Sequence, residues 1–264
     1  MRIALGIEYN GHGLYGWQSQ AHLPTVQSHL ENALSIIADH PIKLTCAGRT
    51  DANVHATNQV VHFDTDAKRI ERAWIQGTNT HLPENISVLW AKEVNHEFHA
   101  RYSATSRRYR YIIYNILSRP ALLAHRVTWQ YDDLNIATMQ TAANYLLGEK
   151  DFSSFRSAEC ESRTPMRNVS EITIFRQHPF IIVEIEANAF LHHMVRNIMG
   201  VLIRIGRGFE EPEWMQEVLD ARDRREAADT APASGLYLIK VGYPERFALP
   251  QQPARHQLCH ASML

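Results

Sequence analysis

The chain has 264 residues, 45% hydrophobic and 21% charged, with a formal net charge of -1. That is enough apolar sequence for one large core or two coupled halves, and it excludes compositional disorder; the balanced charge excludes a globally basic surface, so any polyanion must be met by a local cluster. The cysteines Cys46, Cys160 and Cys259 are odd in number and lack C-x-x-C spacing, which argues against a disulfide framework or thiolate zinc site and for a reducing cytoplasm.

At the N-terminus Ile3, Leu5, Ile7 and Tyr9 alternate and Glu8 interrupts the apolar run, so the segment reads as a strand and not a signal peptide. No window approaches the roughly 20 apolar residues of a membrane span, and no membrane partner is expected. Asn10-Gly11-His12-Gly13-Leu14-Tyr15-Gly16-Trp17 is a glycine-rich loop without the spacing of a nucleotide loop, and its residues leave a plain turn and a ligand contact both open. Pro24-Thr25 opens a helix with Val26, Leu30, Ala33, Leu34 and Ile37 on one face and Thr25 as N-cap. A strand over Ile42 to Ala47, the loop Cys46-Ala47-Gly48-Arg49-Thr50-Asp51-Ala52-Asn53-Val54-His55-Ala56, a strand over Gln59 to Asp64, a helix near Arg69 to Thr80 and a strand near Ile86 to Lys92 follow. This β-α-β-β-α-β order is the ferredoxin-like, split-βαβ pattern. In an enzyme Asp51 is the first catalytic candidate, although a lone Asp in such a turn is structural more often than catalytic.

The second half is expected to hold a strand over Arg107 to Ile116, a helix over Asp133 to Leu147, strands near Val169 to Arg176 and Phe180 to Ala187, an apolar helix from Phe190 to Ile205 stopped by Gly206-Arg207-Gly208, a charged helix over Pro212 to Asp223 and a last strand over Leu236 to Val241. Few apolar positions follow Pro244, so a poorly ordered tail is expected there. The domain plan is therefore 1–104, 105–243 and a tail 244–264.

Arg101, Arg107, Arg108 and Arg110 interleave with Tyr102, Tyr109 and Tyr111. Cations beside flat rings hold phosphates and stack unpaired bases, but the same pattern also suits a solvated strand face. On the apolar helix Leu191, Val195, Ile198, Leu202 and Ile205 share one face, with Arg196 at its half-buried edge. A charge there calls for a carboxylate or phosphate partner, or for a neighbouring element to cap. The fifteen histidines include His55 and His62, His96 and His99, and His192 and His193, yet none has H-E-x-x-H spacing, and no metal site is expected. Hydrolase motifs such as G-x-S-x-G are absent.

Gly48-Arg49-Thr50-Asp51-Ala52-Asn53-Val54-His55-Ala56 resembles the G-R-T-D-A-G-V-H-A signature of the tRNA pseudouridine synthase A family. The resemblance continues through Tyr9-x-Gly11, Gly16-Trp17-Gln18, Arg107-Arg108-Tyr109-Arg110-Tyr111 and Asn188 to Asn197, and covers about Ile3 to Tyr243. It implies an α+β fold of two pseudo-repeated ferredoxin-like halves sharing a central, mainly antiparallel sheet, in a cofactor-free enzyme that is usually a homodimer. The implied activity is isomerisation of uridine to pseudouridine in the anticodon stem-loop of tRNA, at positions 38, 39 and 40, the alternative being a catalytically inactive RNA-binding relative. Residue by residue, the resemblance puts the catalytic aspartate on Asp51, the arginine beside it on Arg49, the base-stacking tyrosine on Tyr109 and the arginine paired with the aspartate on Arg196; Arg107, Arg108 and Arg110 are expected to assist in holding RNA. Asn53 stands where the family most often has Gly, which suggests a left-handed position that Asn tolerates best after Gly.

Overall fold

A computed structural model describes residues 1–250. The protein is α+β, its strands mainly antiparallel, and it divides into two compact units: Met1–Thr105 together with residues from Tyr237 onward, and Ser106–Leu236. The last strand, expected in the C-terminal half, thus belongs with the first unit.

In the first unit β1 (Arg2–Tyr9), α1 (Val26–Ala38), β2 (Thr45–Cys46), β3 (His55–Asp64), a helical turn with π geometry (Ala73–Gly77) and β4 (Ile86–Val94) follow in the expected order. The strands lie β4–β1–β3–β2, every neighbour antiparallel, which is the ferredoxin-like arrangement. Helix α1 starts where the sequence says it should: Thr25 accepts from Ser28 N at 3.2 Å and Ser28 Oγ accepts from Thr25 N at 3.2 Å, a reciprocal cap. Strand β2 is shorter than the alternation suggested. Ile42 N is taken by Ser35 Oγ (2.9 Å) and Leu44 N by Glu31 Oε1 (2.9 Å), so side chains of α1, not a sheet ladder, satisfy those amides.

The far edge of β3 is divided between two partners. Its C-terminal part pairs with β2 at His62 and Val61, and its first residues His55 and Ala56 pair in parallel with Tyr237 and Leu238 of β10 (Leu236–Gly242). Leu5, Ile7, Leu30, Leu34, Phe63, Trp74 and Phe98 fill the core of this unit. Part of the expected tail is ordered against it: Phe247, in the turn Glu245–Phe247, is buried with its ring centroid 5.2 Å from that of Phe98. The remainder of that tail, 251–264, lies outside the described residues.

The second unit holds β5 (Ser106–Tyr114), β6 (Thr128–Trp129), α2 (Ile136–Asn144), β7 (Gly148–Asp151), β8 (Met166–Gln177), β9 (Phe180–Ala187), α3 (Met194–Gly206) and α4 (Trp214–Ala221). Its sheet runs β5–β9–β8–β7, antiparallel throughout, with β6 parallel to β5. The two short strands β6 and β7 carry no periodic signal and were not expected. Helix α3 begins four residues later than its apolar pattern, because His193 is left-handed (φ 63) and cannot continue a helix backwards. No helix among the described residues is long and apolar enough to cross a membrane.

Candidate active site

Asp51 sits in the loop between β2 and β3, and the loop is pinned at both ends by its own unit. Ala47 N donates to Val60 O (2.8 Å), and the buried Gln59 donates through Nε2 to Gly48 O (2.6 Å). Val54 N donates to Asp51 O (3.2 Å), closing a tight turn whose third residue is Asn53 at φ 63. That is the position where turns with a left-handed third residue favour Gly or Asn, and Asn53 adopts it. Its side chain adds a contact glycine lacks: Oδ1 accepts from Gly13 N at 3.4 Å.

The glycine-rich segment turns out to be the clamp on this loop. Trp17 N donates to Thr50 O (3.0 Å), Asn53 N to Leu14 O (3.3 Å), and Gly11 N to His55 Nδ1 (3.0 Å). Tyr9 and Thr50 share a hydroxyl hydrogen bond of 2.8 Å. Two glycines make this approach possible: a Cβ on Gly16, itself at φ +83, would lie 2.7 Å from Thr50 O, and one on Gly11 would lie 2.1 Å from Val54 O. Within the clamped loop Asp51 is half-buried and Arg49 exposed. His55, at the loop's far end, is 2% exposed and stacked on Tyr237, ring centroids 4.6 Å apart. Burial pushes the neighbouring Cys46 thiol up to about 12, against the opposing charges of Arg49 and Arg101.

In the second unit the arginine-tyrosine strand β5 divides its side chains between two faces. Arg107, Tyr109 and Tyr111 are buried, whereas Arg108 and Arg110 stand on the other face, directly opposite Glu186 and Glu184 of β9. Arg108 meets Glu186 at 2.7 Å and Glu184 at 3.0 Å and also pairs with Glu171; Arg110 Nε meets Glu184 at 2.9 Å. On that face the guanidiniums of Arg108 and Arg110 are engaged by carboxylates of the protein itself. Arg107 donates through Nη1 to Asn188 O (2.9 Å). Tyr109 is 8% exposed, with Phe190 edge-on at 5.1 Å.

Arg196 is half-buried on α3, as its place beside the apolar stripe implied. Its Nε donates to Ala231 O (2.9 Å) while its own carbonyl accepts from Ala231 N (3.1 Å), a two-way grip on one residue. The same segment is pressed so closely on α3 that a Cβ on Gly200 would stand 2.0 Å from Asp229 O. Next to Arg196, the fully buried Asn197 donates to Phe155 O (2.8 Å) and accepts from Thr230 Oγ1 (2.6 Å) and Arg224 Nη2 (3.2 Å). Sequence reasoning did not single out Asn197; an amide in the middle of an apolar helix was the available signal.

The loop therefore brings Asp51 and Arg49 together in the first unit, and Tyr109, Arg107, Arg108, Arg110 and Arg196 all belong to the second. Several of the histidines weighed as metal ligands have structural partners: Gly11 N for His55, Ala100 N for His62 (3.1 Å), and the amides of Arg101 and Tyr102 for His99 (3.2 and 3.1 Å).

Comparison with known proteins now gives these features a context. Residues 7–103 and 142–244 match the family model described as tRNA pseudouridine synthase, a match that contains Asp51, Arg49 and Arg196 and leaves Tyr109 between its two segments. A tRNA pseudouridine synthase A of Coxiella burnetii (strain Dugway 5J108-111) is 56% identical over 96% of this chain and 97% of its own. Proteins of the same name from Vibrio campbellii (strain ATCC BAA-1116) and Shewanella sp. (strain MR-4) are 54% and 57% identical, over 96% and 95% of this chain and 96% of each of theirs. The chain belongs to the tRNA pseudouridine synthase family. A solved structure titled "Crystal Structure of a Cbf5-Nop10-Gar1 Complex" aligns at a TM-score of 0.37 and 11% identity over 90% of this chain and 49% of that one, a likeness too weak to assign anything.

Proposed function

We propose that the protein isomerises uridine to pseudouridine in the anticodon stem-loop of tRNA, at positions 38, 39 and 40, with Asp51 as its catalytic carboxylate. The observation that carries this reading is the Asp51 loop: the family's signature stands there, in a turn whose left-handed position is filled by Asn53 and whose backbone is clamped by Gly11 to Trp17.

The reaction breaks the N1–C1′ bond, turns the base over and joins C5 to C1′, with the C5 proton lost and N1 protonated. One ionised carboxylate suffices. Asp51 can attack C1′, add to C6 of the base, or remove the C2′ proton to give a glycal, and these three routes share the same residue. A stacked uridine is out of reach, so the target leaves its stack at a cost of roughly a few kcal/mol. Stacking on Tyr109 returns about 1–3 kcal/mol, of the same order. In this reading Arg49 fills the vacated space or holds the displaced backbone, and Arg196 is the counter-ion of Asp51, oriented by its grip on Ala231. Arg107 assists in holding the RNA, while Arg108 and Arg110, engaged by Glu184 and Glu186, set the strand behind Tyr109. No cofactor is needed, the unpaired thiols Cys46 and Cys160 suit a reducing cytoplasm, and the working form is a homodimer.

The test is incubation with tRNA carrying tritium at C5 of uridine, since forming the carbon-carbon bond frees that label. Release by wild type and none by Asp51→Ala, with tRNA binding retained, is expected. Binding without release from any tRNA would favour the inactive RNA-binding relative and sink the enzyme.

A further inference from the structure

The first unit carries a stack of rings that the proposed chemistry does not use. It starts inside, on β3. His62 is 5% exposed, and its ring centroid lies 4.8 Å from that of His99, which lies in turn 4.3 Å from Tyr102 at 31°. Tyr102 ends the series in solvent, 78% exposed, with the guanidinium of Arg101 5.7 Å from its ring centroid.

This surface aromatic is held in place. His99 Nδ1 accepts from the amides of Arg101 and Tyr102, and His62 Nδ1 accepts from Ala100 N, so both histidines have their acceptor nitrogens fixed. His99 N donates to Ser103 Oγ (3.0 Å) and Ser103 N to His99 O (2.9 Å), closing the turn that presents Tyr102. Burial holds both imidazoles below their ordinary range, His62 at about 4, with Arg2 pushing in the same direction. Both imidazoles are thus biased toward the neutral form, and the cationic charge of Arg101 sits beside the exposed ring.

We infer that Tyr102, backed by His99 and flanked by Arg101, is a second stacking platform for an unpaired nucleotide of the RNA substrate, with Arg101 meeting its phosphate. An exposed aromatic ring backed by a second ring, with a guanidinium 5.7 Å from its centroid, is the kind of arrangement that binds single-stranded nucleic acid with little regard to sequence. The occupant is a nucleotide other than the target uridine, since Tyr102 lies on the surface while Tyr109 is buried. The inference rests on the proposed function for its choice of RNA.

Tyr102→Ala, Tyr102→Phe and Arg101→Gln are compared with wild type for tritium release from tRNA and for direct binding of an anticodon stem-loop RNA. Tyr102→Ala is expected to raise KM by about fivefold or more, the loss of one stacked base, with the effect on KM larger than that on kcat and the melting temperature unchanged. Tyr102→Phe should restore wild-type KM, because the ring and not the hydroxyl does the stacking. Arg101→Gln should reduce the steepness of log affinity against log salt by about 0.7, one phosphate contact to a single strand. A smaller change in KM for Tyr102→Ala, or failure of the Phe variant to rescue, overturns the platform. If wild type binds the RNA but releases no tritium, the enzyme reading fails while the platform is still judged, by whether Tyr102→Ala weakens that binding.

Discussion

Gly16 stands so close to the main chain of Thr50 that any side chain at Gly16 would enter the loop that carries Asp51. The first prediction comes from this contact. Gly16→Ala combines a Cβ 2.7 Å from a backbone oxygen with a φ of +83, and the three nearest atoms, on Thr50, Asp51 and Ala52, are all main chain. It should cost about 1–3 kcal/mol in stability and most of the turnover. A urea melt and the tritium assay measure both; wild-type values would mean that the loop is not set by this clamp.

Asn53 offers the complementary case. Asn53→Gly keeps the left-handed turn and loses only the contact to Gly13, so activity should remain near wild type. Asn53→Val forces a β-branched residue to φ 63, where it should lose about 1–2 kcal/mol and most activity. Equal rates for the Val and Gly variants would remove the turn from the argument.

Arg108 tests whether the basic strand faces RNA or its own sheet. Removing it leaves Glu171, Glu184 and Glu186 side by side without their shared cation. Because this cluster is partly exposed, the loss in Arg108→Ala should be about 1–2 kcal/mol rather than the full cost of a buried pair, and added salt should recover part of it. The affinity of the folded variant for tRNA should stay within twofold of wild type, about 0.4 kcal/mol. A large loss of affinity at unchanged stability would restore the phosphate-binding role.

His62 makes a prediction about pH. Burial first, then Arg2 and His99, depress its proton affinity to about 4 from an ordinary 6.5. The unfolded chain takes up the proton more readily than the folded one, so the stabilisation is complete above pH 6.5 and is lost as pH falls toward 4. Denaturant melts from pH 7 to pH 4 should show a steeper decline for wild type than for His62→Gln, and parallel curves would contradict it.

The parts of this molecule legible from sequence are those whose causes are local. Thr25 caps its helix through atoms three residues away, and the left-handed Asn53 follows from what a four-residue turn allows. The apolar runs of β3 and β9 and the apolar stripe of α3 were legible for the same reason. What was not legible depends on partners outside the segment being read. Nothing near Ile42 says that Ser35 and Glu31 will take its segment's amides out of the sheet. Nor does the run of arginines say which glutamates the register of β9 will bring opposite them. At the candidate site Asp51 could be named from its motif, but the reason its loop holds, a backbone contact from Gly16 and Gly11, shows only in three dimensions.

The parallel pairing of β10 with His55 and Ala56 ties the order of synthesis to the site. The first unit emerges from the ribosome early, yet the strand edge immediately after the Asp51 loop waits for Tyr237 and Leu238, which are made after the whole second unit. Until then His55 lacks the ring it stacks on and the loop lacks its last support. A nascent chain stalled before β10 therefore carries every residue of the proposed chemistry and a loop whose far edge still lacks its neighbouring strand.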